Sequence, residues 1–408
     1  MGVLPAPPSL ADGSTRDDVV RWVAEHLGYL TFEGPDGVRP GGFVGGQSAA
    51  DAALNALDVS GYARRRNEVL PESRRGASRM SPYIRHGLLT LREVWDAVAD
   101  APADDRRRYR DELLWQEYAR HLYARVGAAN GSALRREQPR SGAWEGEPWP
   151  PEMRCMEHVV GELHDEGWLV NQTRMWLASQ WAVRAGADWR TGEDEFFVHL
   201  LDGSRAANRL GWQWTVGTGS GKPYGFSRWQ VRKRAPQLCR ECALSHACPI
   251  EQWPDADAGP AVDGPDLGRG ATPSGPAAVE GAGGTTVWLT AESLGGTDPA
   301  LAADPDRAAV FVFDEPLLAQ LRLSGKRLVF LAETLGELAA VRPLEIRLGR
   351  VVDELAGLEL AATWTPVPGW AIRARHLRPV EVHPWPWLVV PGSGPVGSYS
   401  SWRRALKV

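Results

Sequence analysis

A break in residue composition between positions 254 and 284 constrains the fold of this 408-residue chain more than any other feature. The segment DADAGPAVDGPDLGRGATPSGPAAVEGAGG is rich in Gly, Pro, Ala and Asp and has no apolar periodicity, which is typical of a flexible linker. The chain is long enough for two domains, each with a core of its own. We therefore predict a first domain over residues 14–253, a flexible linker over 254–284 and a second domain over 285–408.

The apolar pattern differs on the two sides of this linker. Before it, apolar residues recur every three or four positions, which predicts an all-α domain from the segments TRDDVVRWVAEHL, SAADAALNAL, LTLREVWDAVA, RRRYRDELLWQEYARHLYARV, RCMEHVVGELHDEG and NQTRMWLASQWAVRAG. After it, the β-rich runs TTVWLT, AAVFVFD and LEIRLG alternate with the helical segments EPLLAQLRL, KRLVFLAETLGELAAV and VVDELAGLE. This alternation indicates a parallel sheet, so we expect an α + α/β two-domain fold.

The composition argues against two classes of protein. No run of eighteen apolar residues is present, and the N-terminus lacks the basic start and apolar stretch of a secretory signal, so we expect a cytoplasmic protein without a membrane segment. A formal net charge of −5 argues against a uniformly basic protein that coats nucleic acid. A local arginine cluster is either a phosphate-binding patch or a solvated loop, and it consists of Arg64, Arg65, Arg66, Arg74, Arg75 and Arg79.

Several motifs in the first half have the residue types of a binding site. The segment GASRMSPYIRHG (76–87) places small and hydroxylic residues ahead of a helix that we expect to begin near Leu89 or Thr90. Such a loop suits a phosphate group, although Ser and Gly before a helix also form an ordinary cap. More specific are three segments that combine Asn, Arg, Asp and paired Trp, namely GWLVNQTRM (167–175), DWRTGEDEFF (188–197) and LLDGSRAANRLGWQWTVGTG (200–219).

The order GGxS, Tyr, SRxSPY, ELLW, GWxxNxxRM, DWRxGE and DGxxAANxxGWQW, from about Gly45 to Tyr224, resembles the flavin-binding domain of the DNA photolyase and cryptochrome family. The resemblance implies an all-α domain that binds FAD. It places the loop of Ser78, Arg79, Met80 and Ser81 at the flavin pyrophosphate, with Tyr62 on the same side. It also implies an ion pair between Arg174 and Asp202 beside the isoalloxazine ring, with Asn208 facing flavin N5.

The same resemblance implies a substrate, which is DNA that contains cyclobutane pyrimidine dimers. The residues that match substrate contacts in the family are Glu112, Trp115, Asn171, Met175 and Trp214. Indoles can stack on a flipped-out dinucleotide, while carboxylate and amide groups can hydrogen-bond thymine. For Trp115, Met175 and Trp214, the alternative is an ordinary place in a helix core. The six-four class of photolyase is disfavoured, because GWLVNQTRM has no histidine near its asparagine.

The chain departs from the family pattern at several positions. Gln116 and Gln172 stand where the family usually has Arg, and Ser204 replaces the second Asp of a DGD motif. We count Gln116, Asn171 and Ser204 among the flavin-side residues. Trp212 and Trp189 match the first two members of a tryptophan chain that carries electrons to the flavin. No tryptophan lies between Val126 and Ser141, where the third is expected, so an exit through Trp144, Trp149, another aromatic residue or a metal centre remains open.

Four cysteines lie in the predicted first domain. Cys239, Cys242 and Cys248 have the spacing C-x2-C-x5-C, and Cys155 lies upstream. One distant cysteine followed by a C-terminal group resembles the iron–sulfur bacterial photolyases and cryptochromes, and we predict a structural [4Fe–4S] cluster on these four residues. Zinc, with His246 as a substitute ligand, and unligated thiols are the alternatives.

The predicted second domain resembles the photolyase antenna domain more faintly, through VWL, DPAL, VFVFDEP, KRLVFLAETLGEL and LEIRLGRVVDEL. In the family this Rossmann-like α/β domain precedes the flavin domain, so the chain resembles a circular permutation, with GSYSSWRRAL (397–406) at the former junction. An antenna chromophore and a lid without pigment are both open. We expect a monomer with the activity of a deoxyribodipyrimidine photo-lyase, and the alternative is a cryptochrome-like blue-light photoreceptor without DNA repair.

Overall fold

The computed structural model describes residues 2–139 and 144–406. Twelve of its helices lie ahead of residue 254: α1 Arg16–Leu27, α2 Gln47–Asn55, α3 Tyr62–Arg65, α4 Ser81–Arg85, α5 Leu91–Ala97, α6 Ala103–Val126, α7 Arg154–Asp165, α8 Asn171–Ala178, α9 Trp189–His199, α10 Arg205–Val216, α11 Arg228–Arg234 and α12 Pro236–Arg240. Six more follow it: α13 Pro299–Ala302, α14 Glu315–Leu321, α15 Gly325–Val341, α16 Val351–Glu354, α17 Pro368–Leu377 and α18 Tyr399–Ala405. We call the first group the helical half and the second group, with the sheet, the sheet half.

Seven strands form one sheet, and five of them are parallel. The strands are β1 Gly2–Leu4, β2 Glu280–Gly281, β3 Thr286–Leu289, β4 Ala308–Asp314, β5 Leu344–Gly349, β6 Leu360–Thr363 and β7 Glu381–His383. Their order is β1-β5-β4-β3-β6-β7-β2, in which β1 and β2 are antiparallel to their neighbours at the two edges. The predicted α + α/β architecture is confirmed at this level. Among the described residues, no helix is both long and apolar enough to cross a membrane.

The N-terminal segment packs on the sheet half rather than on the helical half. Strand β1 pairs with β5, and α1 packs against α15. The α1 side chains Val19, Val23 and Leu27 are fully buried, and the Trp22 ring lies 6.3 Å from that of Phe313 in β4. The apolar face of α1 was read from its periodicity, but its packing partner lies too far along the chain for that pattern to reveal.

Helix α15 joins the two halves. Its residues from Gly325 to Gly336 are buried, including the charged Lys326, Arg327 and Glu333. Glu333 accepts a hydrogen bond from Arg16 at 2.6 Å, and Arg327 donates to the carbonyl oxygen of Gly203 at 2.7 Å. Buried charges are tolerated because each has a hydrogen-bonded partner.

Residues 254–284, all of them described, contain no helix, and only β2 is regular. The segment follows the surface of the helical half through specific hydrogen bonds. Arg125 of α6 donates to the carbonyl oxygen of Gly268 and to Oγ1 of Thr272, each at 2.8 Å, and Trp387 donates to the carbonyl oxygen of Ser274 at 2.8 Å. The predicted domain boundaries stay predictions, and the structure adds that this connection contacts both halves.

Candidate functional site

A buried ion pair lies between α8 and the loop that precedes α10. Nη2 of Arg174 is 2.8 Å from Oδ2 of Asp202, and Nε of Arg174 donates to the carbonyl oxygen of Leu169 at 3.1 Å. The Asp202 residue is 8% exposed. The structure thus brings together the two residues that the resemblance predicted as a pair, with the guanidinium fixed from two sides.

Two buried polar atoms, one in this pair and one on α10, have no hydrogen-bond partner among the described residues. They are Oδ1 of Asp202 and Nδ2 of Asn208, one an acceptor and the other a donor. A buried polar atom without a partner costs about 1–3 kcal/mol, so such atoms usually mark a place for a ligand or water. The edge of an isoalloxazine ring offers both N–H donors and acceptors, and these residues therefore fit FAD.

The loop before α4 has an unusual backbone. Arg79 has a φ of 60°, a region that side chains other than Gly rarely adopt. Its guanidinium lies 4.4 Å from the ring centroid of Phe43 and 4.9 Å from that of Trp168. The hydroxyl of Ser81 accepts a hydrogen bond from Nε1 of Trp168 at 3.0 Å. Cation–π contacts of this kind contribute about 0.5–2 kcal/mol and hold the loop against the helical half.

Residues on one face of α6 contact this loop. The hydroxyl of Tyr109 donates to Ser78 at 3.0 Å, and the Tyr109 ring packs edge-on against Tyr62 at 4.9 Å. Glu112 lies one turn farther, 3.4 Å from Nε of Arg66. Burial raises the pKa of Glu112, an effect that Arg66 and Arg108 oppose, and burial also raises the pKa of Tyr62.

The structure also places three other residues that were predicted to lie on the flavin side. Met80 is buried at the N-terminal end of α4, and Gln116 is half-buried on α6, one turn beyond Glu112. Ser204 caps α10, because its hydroxyl accepts from the backbone N–H of Ala207 at 3.4 Å. Ser and Asp are both good N-caps, so replacing the usual aspartate at position 204 keeps the helix start.

The Trp115 ring is covered by a residue of the C-terminal helix. The ring of Tyr399 in α18 stacks on it with centroids 4.0 Å apart and an interplanar angle of 12°. The Tyr399 hydroxyl donates to the carbonyl oxygen of Asp111 at 3.2 Å, which fixes the stack to α6. The sequence did not reveal this contact, although GSYSSWRRAL was recognised as a junction segment.

Asn171, Met175 and Trp214 lie on α8 and α10. Asn171 is exposed at the start of α8, Met175 is half-buried one turn later, and Trp214 is 42% exposed. Gln172 points inward, where its Nε2 donates to the Tyr224 hydroxyl at 3.0 Å, and the Tyr224 ring lies 5.7 Å from Trp214. The glutamine that replaces the family's usual arginine is therefore an internal hydrogen-bonding residue, away from the surface.

The two tryptophans of the predicted electron chain are both 2% exposed. Trp212 packs edge-on against Phe196 at 5.1 Å, and its Nε1 is buried without a partner in the described part of the chain. Trp189 begins α9, where the guanidinium of Arg190 lies 5.6 Å from its ring centroid.

The four cysteines line one apolar cavity, together with Met153 and Ile250. All four thiols are free, and burial raises the pKa of Cys155, to which the neighbouring thiols add. Among the described residues, no group of three or more Cys, His, Asp and Glu converges closely enough to hold a metal ion. A single zinc ion needs four ligands at about 2.0–2.3 Å from one point, whereas a cluster separates its ligands more widely. The structure therefore shows four thiols around one apolar cavity.

The arginine cluster divides into exposed and internal members. The exposed members, which solvent or a phosphate backbone can reach, are Arg64, Arg65, Arg74 and Arg79. Arg75 donates to Glu162 at 2.6 Å and to the carbonyl oxygen of Val69 at 2.6 Å, so it is an internal ion-pair residue.

Two arginines that sequence reasoning missed hold the loop of the ion pair. The carbonyl oxygen of Gly203 accepts from Nε of Arg85 at 2.8 Å and from Nη2 of Arg327 at 2.7 Å. Burial lowers the pKa of Arg327 to about 9. The signal for Arg327 in the sequence was the pair Lys326–Arg327 at the start of a mostly apolar helix.

Residues 109–236, which contain the ion pair, most of α6, and all of α8 and α10, match the model of the FAD-binding domain of DNA photolyase. This part of the chain is a FAD-binding domain of the DNA photolyase and cryptochrome family. The deoxyribodipyrimidine photo-lyase of Synechococcus sp. is 30% identical over 199 residues, which are 43% of this chain and 39% of that protein. The one from Thermus thermophilus is 30% identical over 234 residues, 53% of this chain and 50% of that protein.

Solved structures of the family overlap with about half of the chain. A Synechocystis cryptochrome covers 50% of this chain and 47% of its own, with a TM-score of 0.43 and 22% identity. A class III photolyase from Agrobacterium tumefaciens covers 48% and 44%, with a TM-score of 0.39 and 23% identity. The chain thus spans half or less of the length of these photolyases and cryptochromes.

Proposed function

We propose that this chain is a light-dependent lyase that splits cyclobutane pyrimidine dimers in DNA with a reduced FAD cofactor. The observation that carries the proposal is the buried Arg174–Asp202 pair, with the unpaired Oδ1 of Asp202 and Nδ2 of Asn208 beside it. Because these acceptor and donor atoms are free to hydrogen-bond a ligand, the site can bind a polar ring. When bound, FAD supplies blue-light absorption and a one-electron donor.

The residues around this site bind and orient the cofactor. Arg174 holds the carboxyl group of Asp202 in place with a hydrogen bond, and Asn208 offers a neutral hydrogen bond that does not add charge near the ring. The loop of Ser78, Arg79, Met80 and Ser81 is assigned to the pyrophosphate end, where Tyr62 closes the same side. Gln116 and Ser204 are included on the flavin side.

The lesion is assigned to the exposed ends of α6, α8 and α10. Trp115 and Trp214 offer ring faces to a flipped-out dinucleotide, and Met175 offers an apolar wall. Asn171 can bond the carbonyl and imide groups of thymine. Burial raises the pKa of Glu112, and its carboxyl group can hydrogen-bond thymine. The exposed arginines next to α3 would neutralise phosphates of the strand.

We further propose that Cys155, Cys239, Cys242 and Cys248 hold a structural [4Fe–4S] cluster, with zinc as the alternative. Their common apolar cavity supports this assignment. Iron and acid-labile sulfide in anaerobically purified protein, both decreased in Cys242→Ser, are expected. One zinc per chain without sulfide would replace the cluster by a zinc site, and protein with neither would leave four free thiols.

The sheet half is proposed to be an antenna-type domain in permuted order, in a protein that acts as a monomer on DNA. Its five parallel strands follow the flavin-binding residues in the chain, and the order reverses at β3. The crevice outside the carboxyl ends of β3 and β6 is where such sheets bind ligands. The chromophore, if one binds there, is not identified by any residue.

A second candidate function is a blue-light photoreceptor without repair. The observation that favours it is the stack of Tyr399 on Trp115, which covers the ring face that a dinucleotide would need. In that case α18 would be a permanent cover, and the flavin would act through a protein partner.

Repair by anaerobically purified, chemically reduced protein separates the two functions. A dimer-containing oligonucleotide, single-stranded and duplex, is incubated in blue light and in darkness, and the remaining dimers are counted. We expect light-dependent loss of dimers that disappears in Trp115→Ala and Glu112→Ala. Flavin photoreduction without repair would reject the lyase and favour the photoreceptor.

A further inference from the structure

Two tryptophan rings meet across Gly192 of α9. A Cβ atom at this position would lie 2.3 Å from Cη2 of Trp212 and 2.9 Å from Cδ1 of Trp181. The two ring edges are therefore no farther apart than the sum of these distances. Trp181 lies in a π-helical turn, Ser179–Arg184, that continues α8, and such turns often redirect a side chain at functional sites.

A third indole follows. The ring centroids of Trp181 and Trp149 are 4.7 Å apart, with an interplanar angle of 60°, and Nε1 of Trp149 donates to the carbonyl oxygen of Leu177 at 2.9 Å. Trp181 and Trp149 are both partly exposed. The row Trp212, Trp181 and Trp149 thus runs from a fully buried ring to rings that solvent can reach.

The buried end of this row lies next to the proposed flavin site. Trp212 and Asn208 are four residues apart on α10, and residues at this spacing share one face of a helix. The buried ring contacts of Trp212 include Phe196 and, across Gly192, Trp181. Phenyl rings are much harder to oxidise than indoles, so Trp181 is the electron donor that the contact at Gly192 places next to Trp212.

The local charges also favour Trp181 over Trp189. The guanidinium of Arg190 lies 5.6 Å from the Trp189 ring centroid and disfavours a positive charge on that ring, though its exposure screens the effect. Nε1 of Trp181 donates to the carbonyl oxygen of Asp188 at 2.9 Å. A carbonyl acceptor stabilises an indole that has lost an electron, because the N–H becomes a stronger donor.

We propose that Trp181, followed by Trp149, takes the place of Trp189 as the donor to Trp212; the inference rests on the proposed flavin site. Trp212 loses one electron toward the flavin, Trp181 replaces it, and Trp149 replaces the electron lost by Trp181. A dissolved thiolate then gives one electron to Trp149 and is itself oxidised by one electron. Each event transfers one electron, and all three indoles return to their starting state.

The test compares Trp181→Phe with Trp189→Phe, which remove one indole each and keep an aromatic ring. Photoreduction of the oxidised holoprotein is followed with a thiol present, and the tryptophan radical is followed by transient absorption after a laser flash. We expect photoreduction at least tenfold slower in Trp181→Phe and a change of less than twofold in Trp189→Phe. The reverse order, or equal slowing in both variants, would overturn the proposal.

A ground-state measurement checks the geometry without flavin. The near-ultraviolet circular dichroism of flavin-free protein is expected to lose the coupled signal of Trp181 and Trp149 in Trp181→Phe and in Trp149→Phe alike. Two variants that differ in this signal would contradict the pair. Dimer repair by chemically reduced Trp181→Phe separates the relay hypothesis from the flavin-site hypothesis. If this variant repairs dimers and is also photoreduced at the normal rate, only the relay is rejected. If the wild-type protein retains no flavin, both hypotheses are rejected.

Discussion

Replacing Gly192 by Ala tests the contact between the two tryptophan rings directly. The added Cβ would lie 2.3 Å from Cη2 and 2.7 Å from Cζ3 of Trp212, far inside van der Waals contact. Trp212 cannot retreat freely, because Phe196 packs against it at 5.1 Å. Overpacking of a core costs about 1–3 kcal/mol, and Ala in a helix interior recovers about 0.5–1 kcal/mol relative to Gly. We expect a net loss of roughly 1–2 kcal/mol in the free energy of unfolding.

The assay is urea unfolding followed by tryptophan fluorescence, with Gly161→Ala as the matched control. Gly161 lies inside α7, and a Cβ there would meet nothing within 4 Å. The control should therefore gain about 0.5–1 kcal/mol from helix propensity alone. If Gly192→Ala gained stability like Gly161→Ala and left the near-ultraviolet circular dichroism unchanged, the ring contact would be refuted.

Three further substitutions give separate predictions. Asp202→Asn leaves Arg174 without its charged partner, and breaking a buried ion pair costs about 3–5 kcal/mol. Flavin retention after gel filtration should therefore fall at least tenfold. Full retention would reject the assigned site. Tyr399→Ala frees the face of Trp115, so affinity for a dimer-containing oligonucleotide should rise by roughly twofold to twelvefold, as a stack contributes about 0.5–1.5 kcal/mol; unchanged affinity would show that Tyr399 does not compete. Burial raises the pKa of Glu117 from 4.5 to about 7, so its stabilising effect, complete below pH 4.5, is lost as the pH rises to about 7. Glu117→Gln should remove roughly 3 kcal/mol of that decline in urea unfolding at pH 5 and 8, and a decline equal to that of wild type would contradict the shift.

The helices of the helical half could be predicted because their apolar residues recur at helical spacing over many consecutive positions. The segment predicted as helical at residues 106–126 is α6, Ala103–Val126. Strand β6, with the residues LAAT, was not predicted, because Ala has a weak strand preference and only burial in the sheet makes these residues a strand. Strand β1 is three residues long and pairs with β5, near the other end of the chain, and no local pattern signals such pairing.

In the candidate site, too, local sequence patterns revealed some residues and missed others. Arg174 and Asp202 were found as a pair because both belong to long, ordered motifs. Tyr399, Arg327 and Trp181 were missed, since each acquires its contact from a segment distant in sequence or from the irregular turn after α8. The motifs therefore predicted the ion pair, whereas the residues that hold or cover the predicted site required the structure.

The carbonyl oxygen of Gly203 is held by one guanidinium from each half of the molecule, Arg85 and Arg327. Any ligand that binds the neighbouring Asp202 therefore also stabilises the docking of α15, and loosening of α15 weakens the ligand in return. Cutting the chain within residues 254–284 would not separate a self-sufficient flavin module from an accessory one. We therefore expect the two halves to unfold together, so that cofactor content would also report on the folding of the sheet half.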